Sequence, residues 1–281
     1  MGSFKVIGGH KLKGTLHPQG AKNEALQVIC AVLLTPEKII MHNVPNIRDV
    51  NILITLLKDL NVIVDKIDKT TYSFQAKNIN VEYLSSEEYK TKSSKIRGSI
   101  MIVGPLLARY KKGYIPKPGG DKIGRRRLDT HFIGFEKLGA KFTYDKKEEF
   151  YRVNTEKLTG ANMLLEEASV TGTANIIMTA VMAEGETTIY NAACEPYLQQ
   201  LCKMLNNMGA KISGIGSNLL KIKGVTSLLG CKHKILPDMI EIGSFIGLAD
   251  TGKEMKVENS LLVFMVFLFQ NKKNLPHILN F

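Results

Sequence analysis

The sequence predicts an α/β (α+β) protein built from repeated helix–strand modules. Residues 31–64 (AVLLTPEKIIMHNVPNIRDVNILITLLKDLNVIV) and residues 180–212 (AVMAEGETTIYNAACEPYLQQLCKMLNNMGAKI) share one order of apolar helix, strand, helix and strand. Alternating apolar and polar residues in 71–76 and 220–223 predict short strands after the second helix of each copy. A repeat of about 75 residues is longer than the periods of solenoid proteins. Modules of this kind pack helices against sheets.

The two copies also end their elements in the same way. The strand after the first helix ends in Asn43 in one copy and in Asn191 in the other. The second helix closes at Asn61 or Gly209, eighteen residues later in both cases. These matching terminal residues predict the same turns in both copies.

Two further copies are partly visible. Residues 100–109 (IMIVGPLLAR) predict a first helix, residues 130–139 a second helix, and residues 140–142 the start of a strand. Residues 239–250 (MIEIGSFIGLAD) resemble the first-helix segments and lead into EMKVEN. The tail after Asn259 does not continue the repeat.

Composition excludes several classes of protein. The chain has 281 residues, 44% of them apolar and 23% charged, values typical of a globular protein rather than of a disordered chain, a collagen or a disulfide scaffold. The four cysteines (Cys30, Cys194, Cys202 and Cys231) form no CxxC pair. We therefore expect reduced, mostly buried thiols in a cytoplasmic protein.

Metal, cofactor and membrane binding are not indicated. The six histidines show no spacing typical of metal ligands, so we expect neither a metal site nor a cofactor. The longest apolar run, residues 261–269, has nine residues, whereas a helix needs about 20 to span a bilayer.

The net charge of +12 has two interpretations, compositional bias or an anionic partner such as a nucleic acid, a membrane surface or a phosphate-bearing substrate. Part of this charge lies in residues 109–127 (RYKKGYIPKPGGDKIGRRR), which hold eight basic residues and one acid, Asp121. Its glycines and prolines predict a loop. This loop is either a solvated surface segment, a lid over an anionic small molecule with Asp121 as proton-transfer group, or a nucleic-acid contact. Only Tyr110 and Tyr114 could stack on bases.

Two predicted helix starts carry polar residues. Lys22 and Asn23 begin the first helix, where free backbone N–H groups favour anions. Ser169 lies at the matching position before the helix that leads to Ala180. The alternatives are an exposed lysine and an ordinary serine helix cap.

At these motifs the chain resembles the UDP-N-acetylglucosamine 1-carboxyvinyltransferase family of enolpyruvyl transferases. The resemblance rests on GAKNEAL (20–26), RGSIMIVGPLLAR (97–109), PGGDKIGRRRLDTH (118–131), LGAKF (138–142), ASVTGT (168–173), AEGETTIYNAACEP (183–196) and LPDMIEIGSF (236–245). It implies an inside-out α/β barrel of βαβαββ units, with three units in each of two similar domains. Residues 22–236 would form one complete domain with the lid, and residues 1–21 plus 237–281 a partial second domain.

The resemblance also implies a reaction. Family members join phosphoenolpyruvate to the 3-hydroxyl of UDP-N-acetylglucosamine in the cleft between domains and release phosphate, the first committed step of peptidoglycan synthesis. Such a protein serves cell-wall synthesis, and thereby cell shape and division. Its partners are these two small molecules, not a nucleic acid or a membrane.

The family pattern assigns roles to individual residues of this chain. Three match catalytic positions: Lys22, Asp121 and Arg126. Eight match substrate-binding positions: Asn23, Arg97, Arg127, Leu128, Asp129, Thr130, Ser169 and Val170. Both substrates are multiply anionic, so the basic residues among these can neutralise charge.

Asp121 departs from the family pattern, which usually has cysteine at this position. A thiol has a reference pKa of about 8.5 and an aspartate one of about 3.9, so Asp121 needs a raised pKa to donate a proton at neutral pH. Without the thiol, we expect resistance to fosfomycin, an epoxide that alkylates this cysteine.

Length is the second departure, because family chains are considerably longer. We expect most of the second domain to be missing and the tail from about residue 260 to be out of frame. The alternatives are therefore an inactive remnant that binds UDP-N-acetylglucosamine, a shikimate-pathway enolpyruvyl transferase, and an RNA-binding module suggested by charge alone. The PGGD and RRRLD motifs speak against the shikimate enzyme.

Overall fold

The computed structural model describes residues 3–5, 7, 13–116, 128–146, 150–250 and 254–257. The chain divides into two compact units, one of Lys22–Ile235 and one of Met1–Ala21 with Leu236–Phe281. The helices are α1 Lys22–Ala31, α2 Arg48–Asp59, α3 Glu87–Ser93, α4 Val103–Tyr110, α5 Asp129–Lys137, α6 Val170–Ala180, α7 Pro196–Asn207 and α8 Met239–Asp250. The strands are β1 Lys13–Leu16, β2 Lys38–His42, β3 Ile63–Lys66, β4 Tyr72–Gln75, β5 Lys112–Pro116, β6 Lys141–Asp145, β7 Phe150–Asn154, β8 Asn162–Leu164, β9 Glu186–Tyr190, β10 Lys211–Ser213, β11 Leu219–Lys223, β12 Lys232–Lys234 and β13 Glu254–Val257.

The larger unit contains three copies of one module. Its sheets have the strand orders β12-β2-β4-β3, β5-β7-β6 and β8-β9-β11-β10. In each sheet the first strand of the module pairs antiparallel with the third strand. The third strand also pairs antiparallel with the second, so it lies between the other two in the sheet. Strands β12 and β8 add a parallel edge to the first and third sheets. The repeat-based prediction of an α/β fold is confirmed.

The asparagine that ends the first strand of a module holds this parallel edge. Asn43 and Asn191 have φ angles of 59° and 57°, a left-handed conformation that asparagine tolerates better than most residues. The Nδ2 of Asn43 donates to the carbonyl of Ile235 at 2.9 Å, and the Nδ2 of Asn191 donates to the carbonyl of Leu165 at 2.9 Å. Each acceptor follows an edge strand directly, so one side chain both permits the turn and anchors the neighbouring strand.

The second helices of the modules also end alike. Asn61, Gly139 and Gly209 follow α2, α5 and α7 with φ angles of 67°, 98° and 100°. A left-handed residue at this position lets the chain reverse into the next strand. The matched spacing seen in the sequence therefore reflects one shared helix end.

The first helices of the three modules form the centre of this unit. Helices α1, α4 and α6 are buried along most of their length, and α6 contacts both of the others. The sheets keep one face in solvent, as the alternating burial of β11 illustrates. This is the inside-out arrangement that the resemblance implies.

The second helices are amphipathic, with matching buried positions. Helix α2 buries five apolar side chains and α7 buries five at the equivalent places, each 148 positions later, the spacing from Asn43 to Asn191. The five pairs are Val50 and Leu198, Leu53 and Leu201, Ile54 and Cys202, Leu56 and Met204, and Leu57 and Leu205.

Glycines allow the central helices to approach closely. A Cβ atom at Gly104 of α4 would lie 2.6 Å from both the backbone oxygen and Oδ1 of Asn175 in α6. A Cβ at Gly134 of α5 would overlap the side chain of Ile176. These contacts bring α4, α5 and α6 close enough for their polar groups to bond.

Three details differ from the sequence-based expectations. Residues 97–102 form a 3-10 turn, so the helix expected over 100–109 begins at Val103. The expected loop 109–127 begins with the end of α4 and then strand β5, which pairs with β7. The thiols are free, but Cys194 is exposed and Cys231 half-buried, so the expectation of mostly buried thiols is wrong for two of four.

The described residues of the smaller unit form a parallel strand pair and a helix. Strand β1 pairs with β13, with Lys13 opposite Glu254. Helix α8 is capped by Asp238, whose Oδ1 accepts the backbone N–H groups of Ile240 at 2.9 Å and Glu241 at 3.2 Å. Within the described segments, no helix has the length and apolar character needed to cross a bilayer.

Candidate active site

A cavity of about 1020 Å³ lies in the larger unit. Five of the residues expected to meet substrate line it: Lys22, Asn23, Arg97, Ser169 and Val170. They come from the start of α1, the 3-10 turn before α4 and the start of α6. The structure therefore brings together positions almost 150 residues apart in the sequence.

Equivalent parts of the first and third modules line this cavity. Lys22 and Asn23 begin α1, and Val170 and Thr171, 148 positions later, begin α6. The start of α2 contributes Arg48 and Asp49, and the start of α7 contributes Glu195 and Tyr197 in the same way. Since the N-termini of α1 and α6 both face the cavity, their unpaired N–H groups favour an anion there.

Among the described wall residues, charged side chains are mixed in sign, with a cationic excess. The cations are Lys22, Arg48, Lys95 and Arg97, and the acids are Asp49, Glu167 and Glu195. The Nζ of Lys22 lies 2.6 Å from Oδ2 of Asp49. The Lys22 side chain is nonetheless 45% exposed, so it can also reach a ligand.

Ser169 is first of all a helix cap. Its Oγ accepts the backbone N–H of Gly172 at 3.3 Å, which is the ordinary role of serine before a helix. Its hydroxyl hydrogen is not used in this bond and can point elsewhere. The capping interpretation is confirmed, and it is compatible with a ligand contact.

A buried histidine lies directly behind the wall formed by α6. His131 of α5 is 1% exposed. Its Nε2 is 3.3 Å from Oγ1 of Thr171 and its Nδ1 is 3.0 Å from Nδ2 of Asn175. Burial, and secondly the charge of Arg97, lower the pKa of His131 from 6.5 to about 4, so the ring is neutral at physiological pH.

A smaller, neighbouring cavity of about 220 Å³ holds two more of the expected substrate-binding residues. Asp129 and Thr130 line it, and Glu167 borders both cavities. Leu128 precedes α5 and its carbonyl accepts the N–H of His131 at 2.9 Å. Although Leu128 is among the described residues, it lines neither of these two cavities.

Three expected residues, Asp121, Arg126 and Arg127, lie outside the described residues. The first basic residues of the same insertion serve other contacts. Arg109 donates to the carbonyl oxygens of Ala76 at 2.6 Å and Leu33 at 3.3 Å, Lys111 donates to Ala108, and Lys112 pairs with Glu82. The interpretation of residues 109–127 as one basic loop is therefore wrong for these three residues. They lie at the end of α4 and the start of β5, and their side chains bind neighbouring groups of the protein.

Several wall residues were not found from the sequence. Gln27 is 2% exposed, lines the cavity, and its Oε1 has no hydrogen-bond partner among the described residues. Arg48, Lys95 and Thr171 also line it. The internal repeat could have identified some of them. Thr171 occupies the place equivalent to Asn23, and Tyr197 the place equivalent to Asp49.

Within the part of the chain that the structure describes, no group of three or more His, Cys, Asp or Glu side chains could hold a metal ion. Among the described residues, the groups that the cavity wall offers a ligand are cations, carboxylates, hydroxyls, amides and helix N-termini.

Comparison with known proteins agrees with this architecture. A sequence profile of the family described as EPSP synthase (3-phosphoshikimate 1-carboxyvinyltransferase) matches residues 6–264. Among curated proteins, the UDP-N-acetylglucosamine 1-carboxyvinyltransferase of Bacteroides fragilis is 61% identical over 260 residues, 92% of this chain and 60% of that protein. The proteins of the same name from Porphyromonas gingivalis and Treponema denticola are 56% and 47% identical, over 92% and 89% of this chain and 60% and 57% of theirs. The chain thus spans about 60% of the length of the curated relatives it matches.

Solved structures show the same fold. The enolpyruvyl transferase NikO from Streptomyces tendae matches with a TM-score of 0.73 at 16% identity, covering 85% of this chain and 55% of NikO. An EPSP synthase from Acinetobacter baumannii matches with a TM-score of 0.67 at 16% identity, covering 89% of this chain and 56% of that chain. At this identity the likeness concerns the fold alone.

Proposed function

The chain belongs to the EPSP synthase (3-phosphoshikimate 1-carboxyvinyltransferase) family, and from this premise we propose that it transfers the enolpyruvyl group of phosphoenolpyruvate to the 3-hydroxyl of UDP-N-acetylglucosamine. The observation that supports this most is the convergence of Lys22, Asn23, Arg97, Ser169 and Val170 on one cavity. The name shared by relatives at 47–61% identity supports the choice of acceptor. Peptidoglycan synthesis is the process that this reaction serves.

The charge of the cavity suits both substrates. Phosphoenolpyruvate carries a carboxylate and a phosphate, and the nucleotide sugar carries a diphosphate. Lys22 and Arg97 can bind such groups by charge-assisted hydrogen bonds, and the N-termini of α1 and α6 add partial positive charge. The volume of about 1020 Å³ is large enough for a nucleotide sugar, since pockets for drug-sized ligands span about 300–1,000 Å³.

The proposed chemistry has two steps. In the first, the sugar 3-hydroxyl oxygen bonds to C2 of phosphoenolpyruvate and loses its proton, while C3 gains a proton. In the second, the C2–O bond to phosphate breaks and C3 loses a proton, which regenerates the double bond. The proton gained by C3 is the one that C3 later loses, and the departing phosphate takes up one proton in exchange for the proton lost by the sugar hydroxyl.

Each residue has a distinct proposed role. Asp121 delivers the proton to C3, and Lys22 and Arg126 stabilise the charge that develops on the phosphate side. Asn23 and Arg97 hold the reacting parts of the substrates. The nucleotide is bound by Arg127, Leu128, Asp129, Thr130, Ser169 and Val170.

Phosphate release tests the proposal. The purified chain is incubated with phosphoenolpyruvate and UDP-N-acetylglucosamine, and binding of the nucleotide sugar alone is measured by calorimetry. Phosphate release that requires both substrates is expected. Binding without release would instead support the interpretation as a binding protein without turnover. No binding and no release would contradict the proposal.

A second acceptor separates the two members of the family. The family profile carries the name of the shikimate enzyme, so shikimate 3-phosphate is offered in place of the nucleotide sugar. We expect no phosphate release with this acceptor. Phosphate release with shikimate 3-phosphate but not with the nucleotide sugar would assign the chain to the shikimate reaction.

A further inference from the structure

A chain of hydrogen bonds runs from the start of α4 through α6 and α5 to the cavity wall. The N–H of Gly104 donates to Oδ1 of Asn175 at 3.1 Å. The Nδ2 of Asn175 donates to the carbonyl of Ile100 at 2.9 Å and faces Nδ1 of His131 at 3.0 Å. The Nε2 of His131 faces Oγ1 of Thr171 at 3.3 Å.

The donor and acceptor roles along this chain are fixed by the two backbone groups that bond Asn175. A backbone N–H can only donate and a carbonyl can only accept, so Gly104 and Ile100 together determine which end of the Asn175 amide is oxygen. The second N–H of Asn175 must then point at His131, whose Nδ1 has to accept it. A neutral imidazole that accepts at Nδ1 carries its hydrogen on Nε2.

Thr171 therefore receives a hydrogen bond from His131, and its own hydrogen remains available. Thr171 lines the cavity in the first turn of α6. Among residues 13–116, 128–146 and 150–250, the structure gives the hydroxyl hydrogen of Thr171 no acceptor. This donor lies in the same wall as Arg97 and the N-terminus of α6, where an anionic oxygen is favoured.

We propose that His131 is a positioning residue that turns the Thr171 hydroxyl hydrogen towards an anionic oxygen of the bound ligand. Under the proposed function, on which this inference rests, that oxygen belongs to a phosphate group of UDP-N-acetylglucosamine or of phosphoenolpyruvate. His131 touches no ligand itself. It acts through Thr171.

The surroundings keep His131 in the required state. Burial and the nearby Arg97 charge hold the pKa of its imidazole at about 4, so the ring stays neutral while Arg97 stays charged. A protonated ring would present an N–H to the N–H of Asn175 and break the chain. The charge of Arg97 on the wall thus helps to keep the donor behind it neutral.

The tautomer is tested on the ligand-free protein by ¹⁵N NMR of the histidine side chains, with His131→Asn to assign the signal. The expected pattern is that of a neutral ring protonated at Nε2, unchanged between pH 8 and pH 5.5. A ring protonated at Nδ1, or one that titrates in this range, would overturn the inference without touching the proposed function.

Binding of each substrate separately tests the contact. Thr171→Val removes the hydroxyl at nearly constant shape, and we expect it to weaken binding of the substrate that it contacts about tenfold, the usual effect of losing a hydrogen bond to a charged group. Thr171→Ser should retain most of the affinity. Thr55→Val is the matched control, because Thr55 is exposed on α2 and donates to its own helix at Asn51. Equal affinities of wild type and Thr171→Val for both substrates would contradict the inference.

Two substitutions of His131 separate positioning from structural support. His131→Asn keeps an acceptor for Asn175 and loses the donor to Thr171, whereas the longer His131→Gln can place an N–H near the lost Nε2. We expect His131→Asn to weaken binding about as much as Thr171→Val, and His131→Gln to recover part of the loss. The double variant that combines His131→Asn with Thr171→Val should bind no more weakly than either single variant. Additive losses would show a merely structural role. Circular dichroism melting checks that each variant folds.

Inorganic pyrophosphate keeps the two proposals distinguishable. If wild type binds neither substrate, the proposed function fails, and pyrophosphate then probes the anion site alone. Tighter pyrophosphate binding by wild type than by Thr171→Val would still support the inference. Equal binding, or none, would overturn it.

Discussion

The ammonium nitrogen of Lys22 lies 2.6 Å from Oδ2 of Asp49 at the cavity wall. The two residues begin consecutive helices of the first module, α1 and α2. Both side chains are partly exposed, so solvent screens the pair and its contribution to stability is small. Under the proposed function, the importance of this pair is instead that Asp49 competes with an anionic substrate for the Lys22 cation.

Replacing Asp49 by Asn should therefore strengthen binding of phosphoenolpyruvate. We expect about a two- to fivefold gain in affinity, in line with the free energy of a partly exposed ion pair, measured by calorimetry at low salt. Lys22→Met should have the opposite effect. Asp59→Asn is the control, because Asp59 forms a similar 2.6 Å pair with Lys92 away from the cavity. Weaker binding by Asp49→Asn would mean that Asp49 positions Lys22 rather than competing for it.

His131 should make stability depend on pH. Its pKa is about 4 in the folded protein against 6.5 as the ordinary value, so the unfolded chain binds more protons between these limits. The stability it contributes is complete above pH 6.5 and is lost as the pH falls towards 4. The shift corresponds to about 3 kcal/mol.

The measurement compares urea unfolding of wild type and His131→Asn at pH 7 and pH 4.5. We expect the free energy of unfolding to fall less for the variant, since other groups titrate equally in both proteins. Parallel losses in the two proteins would show that His131 does not become neutral on folding.

Gly104→Ala should strongly destabilise the larger unit. The added Cβ would lie 2.6 Å from two oxygens of Asn175, so α4 and α6 would have to separate and the bond from Gly104 to Asn175 would be lost. We expect a loss of about 2–3 kcal/mol in the free energy of unfolding, the range for overpacked core positions. Gly247→Ala in α8 is the control, because a Cβ there meets no atom of the described residues within 4 Å. A Gly104→Ala protein as stable as wild type would contradict the close helix contact.

Asp121 should protect the protein from fosfomycin. A carboxylate is a much weaker nucleophile towards an epoxide than the thiolate that the family usually has at this position. Mass spectrometry of the intact chain should show no adduct, whereas Asp121→Cys should gain one when the nucleotide sugar is present. Rapid modification of the wild-type chain at any residue of the 109–127 segment would refute this expectation.

Asp121→Asn should abolish turnover and leave binding of UDP-N-acetylglucosamine unchanged. The amide cannot donate a proton to carbon, but it has nearly the shape of the carboxyl group. Phosphate release and calorimetry on the same sample separate the two effects. Near-normal turnover would exclude Asp121 as the acid.

The repeats could be recognised from the sequence because their signals are local. A strand that ends in Asn43 or Asn191 and a helix that ends at Asn61 or Gly209 each require a left-handed residue, and few residue types accept that conformation. Buried positions of α2 and α7 follow the helical period for the same local reason. The class of fold was therefore predictable, as were the positions of Lys22 and Ser169 at helix starts.

The uses of individual polar residues were not predictable in this way. Composition does not distinguish Arg109 from the later arginines of the insertion, yet Arg109 donates hydrogen bonds to carbonyl oxygens of the first module. Cys194 and Cys202 are the same type of residue, yet Cys194 is exposed and Cys202 is buried. Such outcomes depend on what lies opposite in space.

The sequence by itself determined the modular α/β class, the family and the residues to examine first, because periodicity, turn residues and motifs are carried by neighbours along the chain. Only the tertiary structure decided that Asn23 and Thr171 share one cavity, that Asp49 holds Lys22, and that His131 faces Thr171 rather than solvent. The physical reason is that hydrogen bonds and charge pairs act over about 3–4 Å. Distances of that size between residues far apart in sequence are set by how α1, α4, α5 and α6 pack, and by the glycines that let them approach.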